Sequence, residues 1–181
     1  MIKKLIYYGN PGLRKKCIES EEIGEDMLKV SQNLVDTVLH LNGAGLAAPQ
    51  IGEYVRIFVI CYDNGADSME RPILCPPKVY INPKLSNPSK KEVTCYREGC
   101  LSIPEIYESV KRPYAITVEA IGLDGNTFIE SISGWRARSV MHENDHLNGV
   151  LFIDRLSPKV RNKIARDLNK IKKQYNNRSS L

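Results

Sequence analysis

The sequence predicts one domain of mixed helix and strand, and three observations lead there. Helical periodicity or spacing occurs in three separated stretches: 25–42, 135–147 and the segment after Ser157. Runs rich in β-branched and aromatic residues lie between them, and one pair is joined by Gly122-Leu123-Asp124-Gly125, whose Asp-Gly is a strong hairpin signal. No internal repeat and no linker divides the 181 residues, a length that supports a single core.

In chain order, residues 1–20 read as an extended arm with a turn at Gly9-Asn10-Pro11-Gly12. An amphipathic helix over 25–42 carries Met27, Val30, Leu34, Val38 and Leu41 on one side, and Gly43 is expected to end it. His40 falls in its last turn, where an imidazole suits the helix dipole. In Gly43-Ala44-Gly45-Leu46-Ala47-Ala48-Pro49-Gln50 the glycines allow close backbone approach. No Gly-Lys-Ser/Thr follows, so this is not a phosphate loop. Residues 54–61 form a strand, 63–77 a loop punctuated by Asn64-Gly65 and Pro76-Pro77, and 79–83 a short strand stopped by proline. A polar turn over 86–91 precedes a short strand at 92–96. The hairpin strands span 114–121 and 126–132. Ser133 or Gly134 can cap the next helix and Gly149 can end it. After an apolar stretch over 149–156, Ser157 and Pro158 start a last helix with Val160, Ile164, Leu168, Ile171 and Tyr175 on one face.

Composition excludes several classes. Hydrophobic residues at 42% and charged residues at 26% fit a folded globular chain, and no apolar run reaches membrane-spanning length. The first residues resemble neither a signal nor a transit peptide, so the protein is expected to remain in the cytoplasm. The five cysteines, at 17, 61, 75, 95 and 100, are odd in number and fit reduced thiols better than a disulfide framework. From Leu156 onward eight Lys or Arg face one acid, Asp167, which gives +7. With +5 overall, the rest of the chain sums to −2.

The chemistry concentrates in His142-Glu143-Asn144-Asp145-His146. One helical turn separates the two histidines, so both imidazoles leave the same face and can hold one divalent ion, with Glu143 beside them. A histidine three residues after Gly149 would complete one known pattern, but that residue is Phe152. No glutamate follows Glu143, and Asp154 and Asp167 sit in no ligand motif. The best remaining third ligand is upstream: Cys100, in Glu98-Gly99-Cys100-Leu101-Ser102.

These three strings, in this order and at these separations, resemble the peptide deformylases, enzymes of bacteria and organelles that remove the N-formyl group from nascent chains. The resemblance spans 1–181 as one catalytic domain, with 157–177 as a basic C-terminal helix. It implies an α+β fold, antiparallel sheets around a central helix carrying the two histidines. It implies that Cys100, His142 and His146 bind a divalent metal, Fe²⁺ first, with Zn²⁺, Ni²⁺ or Co²⁺ able to substitute. Glu143 would act as base and then acid, and Gln50 and the Leu101 N–H would stabilise the oxyanion. Gly45, Ala44 and Leu101 would border the substrate, with Ala44 standing where a larger Ile or Val is common. Arg136, in place of an apolar residue, and Tyr107 would bear on substrate preference. Asp145 is expected to pair with Arg112. The partners are N-formylmethionyl nascent peptides and, through the basic helix, the ribosome; no membrane and no specific DNA are expected. The alternatives are an endopeptidase with the same histidine motif, and a zinc-stapled or RNA-binding protein in which Glu143 would be idle.

Overall fold

The computed structural model describes residues 1–66 and 72–176, with the side chains of 62–74 and 176 outside the description. The elements are α1 (Glu25–His40), β1 (Gly45–Ala47), β2 (Ile57–Ala66), β3 (Pro72–Ser86), β4 (Glu92–Cys100), β5 (Ile103–Pro113), β6 (Ala115–Ile121), β7 (Thr127–Ser133), α2 (Gly134–Leu147) and α3 (Pro158–Asn176). All strand pairings are antiparallel. One sheet runs β1-β2-β3-β6-β7 and a second is the β4–β5 ribbon. The architecture is α+β, with the motif-bearing helix α2 at its centre.

Three apolar clusters hold it. Ala137, Val140 and Leu147 of α2 pack on Phe58, Ile60, Tyr80 and Val118 of the larger sheet. Met27, Leu34 and Val38 bury the predicted face of α1 against Leu46, Ile57 and Val59. Ile164, Leu168 and Ile171 of α3 close over Val110, Phe152 and Leu13. Each Val, Leu, Ile, Met or Phe side chain so removed from water stabilises the fold by roughly 1.5–3 kcal/mol before entropy is counted.

Several boundaries differ from expectation. Asn42, not Gly43, adopts the left-handed conformation after α1, with φ 50°. The Asn42 N–H bonds Leu39 O at 3.2 Å and the Gly43 N–H bonds Val38 O at 2.9 Å, which satisfies the last carbonyls. Gly43 is required for space instead: a Cβ there would lie 2.9 Å from Leu101 Cδ1. The expected loop over 63–77 is mostly the two ends of a ladder, since β2 continues to Ala66 and β3 begins at Pro72; residues 67–71 lie outside the described residues. Pro76 and Pro77 fit because the register shifts between Ile60 and Tyr62, where the missing N–H is not needed. Pro83 likewise does not stop β3. The register shifts between Ile81 and Lys84, and Asn82, with φ 48°, absorbs the kink. Ser133 sits at the N-cap of α2 but its side chain makes no capping bond. Gly149 ends that helix region as expected, with φ 70°.

The N-terminal arm is more than extended chain. The Ile6 N–H donates to Gln50 O and the Tyr8 N–H to Ser102 O, both at 2.8 Å, and the Cys17 N–H donates to Leu147 O at 2.9 Å. Arg14 pairs with Asp154, which also accepts from Arg161 at 3.0 Å and from the Leu151 N–H at 2.9 Å.

Candidate metal centre

Helix α2 places its histidines as the spacing requires. The ring centroids of His142 and His146 are 5.1 Å apart, and both residues are buried. The end of β4 brings Cys100 to the same point, with its Sγ 3.2 Å from His146 Nε2. Donor atoms of Cys100, His142 and His146 all lie within 4.8 Å of one another, and no other cluster of three or more such donors occurs among the described residues. The helix and strand thus bring together all three predicted ligands.

Two buried polar atoms here lack any partner, Glu143 Oε2 and His146 Nδ1. Such groups cost about 1–3 kcal/mol when left unsatisfied, and they concentrate where a ligand acts. Glu143 reaches the site because β1 offers no side chain at Gly45, where a Cβ would lie 2.7 Å from Glu143 Oε1. One thiol and two imidazoles suit a borderline transition metal, not calcium or magnesium. Three protein donors would leave room for a further ligand on a bound ion, as in catalytic rather than structural sites.

Behind the donors stands a buried charge network. Glu98 accepts from His142 Nδ1 at 2.8 Å and from Arg112 at 2.6 and 2.9 Å. Arg112, 2% exposed, also donates to Asp145 at 3.1 Å, which is the expected pairing. Arg155 closes the chain on Asp145 through its Nε at 2.6 Å. Burial alone would raise the Glu98 carboxyl, but the bonds from Arg112 and His142 hold it well below the usual carboxylate range. Neither Glu98 nor Arg155 was assigned a task from the sequence. Glu98 sits two residues before Cys100, and a strand turns residues two apart to the same face; that signal was available.

The two histidines diverge electrostatically. Burial opposes charge on both. His142 nevertheless rises well above the ordinary imidazole value, because Cys100 and Glu98 accept its protons. His146 has no such acceptor at Nδ1, and burial with the neighbouring His142 charge holds it well below. Coordination needs the free lone pair of each ring, so a cation would reverse the preference of His142. Burial pushes the Glu143 carboxyl up to about 7.

Cys100, His142 and Glu143 line a cleft of ≈ 580 Å³. Gly45, Ala44, Leu101 and Gln50 border it, as do Tyr107 and the helix residues Trp135, Arg138 and Ser139. Gln50 Oε1 accepts from the Ala47 N–H at 2.8 Å, which fixes the amide so that Nε2 faces Ser102 Oγ at 3.1 Å and Cys100 Sγ at 3.6 Å. Arg136 is not a cleft residue, contrary to expectation. It turns to the larger sheet and pairs with Glu130 at 2.9 Å beside Tyr80, while Arg138, two residues on, takes the cleft side.

The family model for polypeptide deformylase matches residues 2–162. The chain belongs to the polypeptide deformylase family. The peptide deformylase of Pseudothermotoga lettingae is 40% identical over 175 residues, 96% of this chain and 94% of that protein. The peptide deformylase of Novosphingobium aromaticivorans is 35% identical over 185 residues, 95% of this chain and 98% of that one. Among solved structures, a peptide deformylase from Legionella pneumophila superposes with TM-score 0.81 at 36% identity, covering 96% of this chain and 97% of its own. A plant peptide deformylase superposes with TM-score 0.84 at 34% identity, covering 99% and 94%. As a peptide deformylase the chain is a metal-binding hydrolase of protein biosynthesis that deformylates nascent polypeptides, and the endopeptidase alternative is set aside. No helix among the described residues is long and apolar enough to cross a membrane.

Proposed function

We propose that Cys100, His142 and His146 hold one divalent metal, Fe²⁺ in the cell, and that Glu143, Gln50 and the Leu101 N–H carry the hydrolysis of N-formylmethionyl peptides. The observation that supports this most directly is the convergence of Cys100 Sγ and His146 Nε2 at 3.2 Å beside the unpartnered Glu143 Oε2. When bound, the metal supplies Lewis acidity and a nucleophilic water at neutral pH. Zn²⁺, Ni²⁺ or Co²⁺ would suit the same donors.

Glu143 takes the proton of the attacking water at its free Oε2. Burial raises this carboxyl, which suits it to accept that proton and return it to the departing amine nitrogen. Gln50 donates from Nε2 to the developing oxyanion, with its orientation already fixed by the Ala47 N–H, and the Leu101 N–H is the second donor. Glu98 keeps the proton of His142 on Nδ1, which leaves Nε2 for the metal. Ala44, Gly45 and Leu101 receive the methionyl residue at the cleft wall, and formate leaves.

We assign the protein to the cytoplasm, in keeping with an odd number of cysteines, five, which suits reduced thiols. We also assign the basic face of α3 to ribosome contact. Its apolar face is buried through Ile164, Leu168 and Ile171, so the lysines and arginines look outward. Salt-sensitive pelleting with ribosomes is expected. Pelleting that is absent or indifferent to salt would leave a solvated helix.

The reaction is tested by formate release from a formyl-Met tripeptide, using protein purified without oxygen and loaded with Fe²⁺ or Ni²⁺, beside Glu143→Ala. Release by the wild type and its loss in the variant, with metal retained in both, is expected. Equal release by the two would remove Glu143 from its role.

A further inference from the structure

We propose that Arg97 sets a charge preference in the downstream part of the substrate, favouring nascent chains with an acidic residue shortly after the formyl-methionine. The inference rests on the deformylase reading above and concerns the far lip of the same cleft.

The β4–β5 ribbon is irregular where it borders the cleft. Its register shifts between Cys95 and Glu98, and again between Glu98 and Cys100. Each irregularity carries a residue in the left-handed conformation, Arg97 at φ 53° and Glu105 at φ 64°. Neither is glycine, asparagine or aspartate, the types that adopt this conformation most readily. Bulges beside active sites re-aim side chains, and strained residues persist there because the surroundings hold them.

The re-aimed Arg97 lies with its guanidinium 5.3 Å from the centre of the Tyr107 ring. That ring lies against Gly99, where a Cβ would be 2.6 Å from it, so the glycine keeps the platform flat against the ribbon. Arg97, Tyr107 and Glu105 all line the cleft that Cys100 and Glu143 also line. Among the described residues, no carboxylate lies within ion-pair distance of Arg97. Arg138 nearby pairs with Glu98 at 3.6 Å and also meets the Tyr96 and Arg97 carbonyls and the Trp135 ring. Arg97 is thus an exposed cation on an aromatic surface in the same cleft as Cys100 and Glu143. An extended chain advances about 3.3 Å per residue, so a peptide held at Glu143 would lay the residues just after methionine along this lining.

Glu105 supplies the opposite charge on the other strand of the ribbon. The preference is therefore positional: an acidic side chain gains where it reaches Arg97 and loses where it reaches Glu105. If the bulges were only folding solutions and Arg97 a filler, its charge would not affect which peptides are used.

The test uses the full chain loaded with Ni²⁺ and formyl-Met peptides of equal length carrying Asp, Asn or Lys at the second, third or fourth position. At one position the Asp peptide is expected to exceed its Asn counterpart about 2- to 5-fold in kcat/KM, mainly through KM, and the Lys peptide to fall below it. The difference should shrink in high salt. Arg97→Glu should reverse the order, and Glu105→Gln should widen the Asp preference. Asp/Asn ratios of one at every position, or ratios unchanged in Arg97→Glu, would overturn the inference while formate release from the Asn peptide upholds the reaction. Absence of release from the Asn peptide would sink the reaction and this inference with it.

Discussion

Gly45 and Glu143 touch: the backbone of β1 approaches so closely that any side chain at position 45 would displace the carboxylate, a Cβ falling 2.7 Å from Oε1 and 3.0 Å from Cγ. Gly45→Ala should therefore act on proton transfer more than on the fold. We expect kcat to fall by about 10²-fold, the low end of what a positioned acid-base group contributes, with metal content unchanged. Steady-state kinetics beside metal analysis checks this. An unchanged kcat would mean that Glu143 relaxes into another productive position.

Glu98 supports both His142 and Arg112, so its loss should register twice. For Glu98→Ala we expect a 10- to 100-fold weaker hold on metal, the usual cost of losing the carboxylate behind a ligating histidine. Leaving Arg112 buried with a partner missing should also cost about 3–5 kcal/mol in stability. Competition with a chelator reads the first effect and denaturant unfolding the second.

Gln50→Ala should lower kcat about 10²- to 10³-fold with a smaller change in KM, since the amide acts on charge that develops only in the transition state. Chelator competition should show metal affinity close to wild type. A change confined to KM would make Gln50 a substrate-binding residue only.

Asp154 gives a pH prediction. Burial alone would raise its carboxyl, but Arg14, the Leu151 N–H and Arg161 outweigh that and hold it below the ordinary value. A depressed folded value means that its contribution is complete above the unfolded carboxyl range and disappears as pH falls through the folded value. Asp154→Asn should thus melt earlier than wild type at pH 7, and the gap should narrow as pH falls below the ordinary carboxylate range toward the depressed folded value. A gap that persists at low pH would show that the side chain acts by shape rather than charge.

The parts of the site that repeat locally were readable from the sequence. The His142–His146 spacing, the buried faces of α1 and α3 and the Gly122–Gly125 hairpin each depend on residues a few positions apart. The Arg112–Asp145 pair was also inferred, because an acid beside a ligand histidine needs a partner. Partners set by strand register were less accessible. Glu98 meets His142 across 44 positions, and only the fold of the ribbon decides it. The far ends of β2 and β3 were masked by Asn64-Gly65 and Pro76-Pro77, since turn residues cannot announce that a bulge will absorb them. Arg136 and Arg138 look interchangeable in the sequence. Two steps along α2 send one to the sheet and the other to the cleft.

The stitching of the arm has a kinetic consequence. Arg14 meets Gly149 and Asp154 across separations of 135 and 140 residues, and Cys17 meets Leu147. Contacts of such high order form late, after most loop-closure entropy has been spent. While the chain is still being translated, α2 cannot be clamped until nearly all of the preceding protein has emerged. An enzyme that processes unfinished polypeptides therefore cannot close its own site before Asp154 has been made.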